Sequence, residues 1–153
     1  ANNEEIDLVL HLGDYIYEYS REGYASKDAE KMGRLVNPAN EIISLDDYRK
    51  RHATYKSDKD LQLLHKTKPM IVIWDDHEIA NDTWKNGAQN HTSDEGSFRK
   101  RRDDAVRAYY EWMPIRETQE RKKIWRNFSV GNINNLVILY TRLEVREKQL
   151  DIN

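Results

Sequence analysis

Apolar residues fall in short bursts along this chain, separated by long polar intervals. Two bursts, Leu8-Val9-Leu10-His11-Leu12 and Met70-Ile71-Val72-Ile73, have the length and β-branched content of buried strands and predict strands from Asp7 to Leu12 and from Met70 to Trp74. Leu45, Tyr48, His52 and Tyr55 recur at helical spacing behind Ser44, and Asp47 completes a capping box with that serine; this predicts a helix from Leu45 to Tyr55. A second helix, capped by Ser57 or Asp58 and carrying Leu61, Leu64 and His65, must stop before Pro69, because the residue preceding proline disfavours helical backbone. Phe98, Ala105, Ala108, Tyr109 and Trp112 mark one face of the longest helix, which Pro114 closes. Trp125 to Val130 and Leu136 to Leu143, with Gly131-Asn132 between them, predict an antiparallel pair. The intervals 21–40 and 75–96 lack apolar periodicity and are expected as loops. Strands alternating with helices place the chain in the α/β class.

Composition narrows this picture. At 153 residues the length suits one domain, but only 38% of positions are hydrophobic and 34% are charged, so the core must lean on the 9 Tyr and 4 Trp. A net charge of -2 offers no general attraction to nucleic acid or anionic membrane, and no stretch has the apolar length of a membrane helix. There is no cysteine, which excludes disulfides and thiolate metal sites within the chain.

The candidate chemistry sits where the predicted strands end. The first runs into Gly13-Asp14-Tyr15-Ile16-Tyr17 and the second into Trp74-Asp75-Asp76-His77-Glu78. Ligands of open α/β sheets bind at the carboxyl ends of strands, so the two clusters are expected to converge. A carboxylate and a phenol, Asp14 and Tyr17, can turn toward one hard cation, whose charge would favour the phenolate. Asp75, Asn81 and Asp82 add oxygen donors suited to a hard divalent ion such as calcium. His77 can hydrogen-bond a phosphoryl oxygen or protonate a leaving group. Each has a plainer alternative: Tyr17 as a core ring, Asp14 as a cap, the Asn and Asp side chains as turn formers.

Gly13-Asp14-Tyr15-Ile16-Tyr17 within His11 to Tyr19, Trp74 to Asp82, Glu111-Trp112-Met113-Pro114-Ile115-Arg116, and Thr141-Arg142-Leu143 with Gln149-Leu150 together resemble the alkaline phosphatase D (PhoD-like) family of metallophosphatases. The resemblance spans nearly the whole chain. It implies a partial calcineurin-like metallophosphatase sheet with flanking helices, and hydrolysis of phosphate mono- or diesters by metal-activated water. It implies ferric iron (Fe3+) held by Asp14 and Tyr17, Asp14 bridging to a second metal at Asp76, with calcium (Ca2+) or another divalent metal there, and His77 facing the substrate phosphate. Family members carry a metal-binding motif upstream and further ligands downstream, so residues 1–153 are expected to be a single internal fragment lacking both. Export by the twin-arginine route, to periplasm or medium, is a further implication. A non-catalytic folded fragment, with at most a weak metal or phosphate site, is the alternative from another class.

The remaining histidines and basic residues are weaker candidates. His77-Glu78 fails as a zinc-protease motif because Asn81 stands where the second histidine belongs. His52 and His65 are expected to pack on helices, His11 in or behind the strand, and His91 in solvent. Arg99-Lys100-Arg101-Arg102, followed by Asp103 and Asp104, is expected as a solvated, locally paired surface. Arg142 is the better candidate for holding a phosphate or a ligand carboxylate. Tyr140 stands where the resembled family has aspartate before Thr-Arg.

Overall fold

A computed structural model describes residues 5–24, 27–116 and 123–150. Strands β1 (Val9–His11) and β2 (Met70–Val72) pair in parallel, with Val9 opposite Met70 and His11 opposite Val72. Both are shorter than the apolar bursts that announce them. β1 stops because Gly13 and Asp14 take positive φ, +115° and +58°, which extended backbone cannot accommodate. One further ladder bond, from Ile73 N–H to the His11 carbonyl at 3.0 Å, carries the pairing to the strand ends.

Helix α1 (Leu45–Lys56) begins on the predicted capping box: Ser44 accepts from the Asp47 backbone N–H, and the Asp47 carboxylate accepts in return from the Ser44 N–H. Asp58 caps α2 (Lys59–Thr67), while Ser57 closes α1. Helix α3 (Phe98–Trp112) is the longest of the three and packs against α1. β3 (Arg126–Val130) and β4 (Asn134–Ile138) form the antiparallel hairpin. Its second strand starts and ends earlier than expected, because Asn134 and Asn135 join the ladder opposite Val130 and Ser129. Among the described residues no helix is long and apolar enough to cross a membrane.

The core is aromatic and contains charge. Ile16, Ile42, Tyr48, Trp74, Ile79 and Tyr109 are buried, with Trp74 edge-on to Tyr109, Tyr110 and Tyr140. Arg101 corrects the expectation for the basic run: it is fully buried, donating to Glu41, the Ile42 and Asn90 carbonyls and the Tyr48 hydroxyl. His91 corrects another, since its ring lies against Phe98 and beside Arg101 rather than in solvent. Arg51 is also buried and donates to the carbonyls of Tyr17, Tyr19, Asn37, Pro38 and Asn40, gathering both ends of the polar excursion onto α1.

His52 lies between the rings of Tyr15, Tyr109 and Trp112 with no hydrogen bond to either ring nitrogen. Burial, reinforced by the charge of Lys56, pulls its pKa from 6.5 to about 3. Between those values the unfolded chain binds a proton that the folded chain refuses, so folding stability should fall as pH drops below 6.5, at up to about 1.4 kcal/mol per pH unit. Urea titrations of wild type and His52→Phe between pH 7.5 and 5 should show a shallower slope in the variant; equal slopes would remove His52 as the cause.

Candidate metal centre

Parallel pairing of β1 with β2 brings their carboxyl ends side by side, and two residues fasten the segments that follow. A Cβ on Gly13 would lie 2.4 Å from the Asp75 backbone nitrogen, so only glycine allows this approach. Glu78, fully buried, accepts from the Tyr15 backbone N–H with one carboxylate oxygen and from that of Asp75, at 2.9 Å, with the other. One side chain thus stitches both strand ends together. Burial outweighs those bonds and raises its pKa to about 7.

In the resulting cleft Asp14, Asp76 and His77 each present a ligand atom, all within 4.8 Å of one another. The Tyr17 hydroxyl donates to Asp14 Oδ2 at 3.5 Å, and its ring lies 4.3 Å from the His77 ring, centroid to centroid. The four residues singled out from the sequence therefore meet. The electrostatics of this set disfavour negative charge on its oxygens. Burial, opposed by His77 and reinforced by Asp76 and Asp75, raises the Asp14 carboxyl, and Asp14 Oδ1 is buried with no hydrogen-bond partner. Burial and then the Asp14 charge push the Tyr17 phenol up to about 12. A hard cation among these oxygens would relieve both strains, so the residues present fit a metal.

Asp75, Asn81 and Asp82, expected as further oxygen ligands, lie beside these four residues with partners of their own. The Asp75 carboxylate takes the planar fork of Arg142, at 2.6 Å from Nε and 3.0 Å from Nη2. Asn81 turns its amide to Gln89. Asp82, at a positive φ of 49°, donates its backbone N–H to Asp76 Oδ2 at 2.6 Å, with its carboxylate 3.9 Å from both Arg142 and Arg146. Arg142 also reaches Asp76 Oδ2 at 3.4 Å, so it bridges the two adjacent strand-end carboxylates. Tyr140, buried, donates its hydroxyl to the Asp75 carbonyl at 3.3 Å.

Glu18 is the residue that sequence reasoning missed. It is fully buried and contacts His77 Nδ1 through Oε2 at 2.8 Å, while Oε1 accepts from the Asn81 backbone N–H at 2.6 Å and the Asn90 amide at 2.9 Å. Burial alone would raise its carboxyl; these bonds, led by that from His77, outweigh burial and hold it below the usual range. Burial likewise pulls the His77 imidazole down, but Glu18 first, then Asp76 and Asp14, hold it above the ordinary histidine value. With Nδ1 committed to Glu18, Nε2 is the nitrogen left for the cleft.

The family model for PhoD-like phosphatases matches residues 1–153, and the chain belongs to that family. Alkaline phosphatase D of Bacillus subtilis (strain 168) is 43% identical over 143 residues, which are 91% of this chain and 24% of the relative. A solved structure of PhoD superposes with a TM-score of 0.82 at 38% identity, covering 97% of this chain and 28% of that one. The chain thus spans about a quarter of the length of the proteins it matches.

Proposed function

We propose that this chain is part of a longer PhoD-like, metal-dependent phosphohydrolase, built on a calcineurin-like sheet, that cleaves phosphate mono- or diesters. The carrying observation is the meeting of Asp14, Asp76, His77 and Tyr17 at adjacent strand ends. Asp14 and Tyr17 would hold ferric iron, and Asp14 and Asp76 a second ion, calcium or another divalent metal, with ligands from outside this chain completing each. Bound there, such ions neutralise charge on the phosphoryl oxygens and acidify water near phosphorus. The chain's own share is orientation and proton transfer: Glu18 fixes the His77 ring, and His77 Nε2 donates to the leaving oxygen or to a phosphoryl oxygen. Arg142 holds Asp75 and Asp76 in place. Export of the full-length enzyme belongs to the same proposal.

Elemental analysis and phosphodiester turnover of the full-length enzyme test this reading. Tyr17→Phe keeps the ring and deletes the phenol oxygen, so a visible tyrosinate-to-iron band should vanish and iron should bind more weakly. A band unchanged by that substitution removes Tyr17 from the ligands, and a metal-free, inactive folded protein favours the non-catalytic alternative.

A further inference from the structure

Tyr17 belongs to a second feature as well. Tyr17 lines a cavity of about 900 Å3 between residues 19–24 and 27–36 on one side and residues 51–61 on the other. Tyr24 stacks on Tyr17 with centroids 4.7 Å apart and planes 12° from parallel, and Tyr19 approaches both Tyr24 (6.3 Å) and His77 (5.6 Å). The aromatic wall is therefore continuous from His77 outward. Its outer part is uncovered: Tyr24 is 63% exposed and Met32 58%. Three of the cations around it are committed to the protein, Arg34 to Asp58 at 2.7 Å, Arg21 to the Val36 carbonyl, and Arg51 to the five carbonyls named above, while Lys27 also lines the cavity. Beside Lys27 and Asp28, the cavity offers a ligand ring faces and apolar surface on a frame already held by Arg51, a preorganised stacking platform.

We propose that this cavity is the leaving-group subsite of the hydrolase and takes a flat aromatic alcohol, a phenol or a base-bearing nucleoside, stacked on Tyr24 beside Tyr19. The inference rests on the hydrolase reading above. In the step, water oxygen bonds to phosphorus, the phosphorus–oxygen bond to the aromatic alcohol breaks, and one proton ends on the released alcohol.

The test uses the full-length enzyme, with an aryl and an aliphatic methyl phosphodiester whose alcohols are matched in acidity, and calorimetric binding of phenylphosphonate and methylphosphonate. Tyr24→Ala should raise KM for the aryl ester about tenfold, the scale of a lost ring stack, leave the aliphatic ester within about twofold, and Tyr24→Phe should restore the aryl preference. Equal losses on both esters, or equal wild-type affinity for the two phosphonates, would overturn the subsite. If neither ester is hydrolysed, yet phenylphosphonate binds about tenfold tighter and Tyr24→Ala abolishes that preference, the subsite stands and the hydrolase reading falls.

Discussion

Asp76→Ala in the full-length enzyme is expected to lower metal content and turnover together, whereas His77→Ala should cost about 10²–10⁴-fold in turnover and leave most of the metal in place. The difference follows from what each side chain offers. Asp76 is a buried carboxylate beside Asp14, and a bound cation would offset that pairing of like charges together with His77, Arg142 and the Asp82 N–H. His77 is tied through Nδ1 to Glu18, which suits a proton donor presented through Nε2. An ester with an acidic leaving group, such as nitrophenolate, needs little protonation, so His77→Ala should harm it least if the imidazole acts as an acid. Equal harm to every ester would make His77 a phosphate binder. Loss of metal as complete as in Asp76→Ala would make it a ligand, which its place within 4.8 Å of both carboxylates also permits.

The site was legible because its parts are local. Two apolar bursts each ran into an acid, and parallel pairing of adjacent strands was enough to bring Asp14 to Asp76. Gly13 and Glu78, which make that approach close, act through long-range contacts with Asp75 and Tyr15 that no periodicity encodes. Glu18 was hidden for the same reason: a charge between Tyr17 and Tyr19 looks solvated until Asn81, Asn90 and His77 surround it. Arg101 is different, because the signal was present. It lies three residues after Phe98 and four before Ala105, on the apolar face of α3, where Arg99 and Lys100 do not. Helical spacing should have separated it from the solvated charges, and its burial is possible because Glu41, Tyr48 and backbone carbonyls satisfy its whole guanidinium. The surroundings of Asp75 were hidden more subtly. As an acid at a strand end it resembled a ligand, but a partner 67 positions away claims both of its oxygens.

Glu18→Gln is expected to cost about 10- to 100-fold in activity while retaining the fold and most of the metal, the usual effect of removing the group that orients a working histidine. Glutamine preserves the volume and can still accept from Asn81 N–H or Asn90, so packing at this fully buried position should survive. Only the partner of His77 changes. A carboxylate accepts from Nδ1–H and stabilises the imidazolium; an amide NH2 in its place donates to Nδ1, forces the other neutral tautomer and gives no charge stabilisation. The loss should therefore resemble that of His77→Ala in kind, being smallest for esters with acidic leaving groups. The double variant Glu18→Gln with His77→Ala should be scarcely worse than His77→Ala alone, since Glu18 would act only through the ring. Additive losses in that cycle, or a metal content that falls as far as in Asp76→Ala, would show that Glu18 supports the centre by another route. Nitrogen-15 NMR of the His77 ring is a direct check: the proton should sit on Nδ1 when the imidazole is neutral in wild type and on Nε2 in Glu18→Gln, and an unchanged tautomer would refute the assignment.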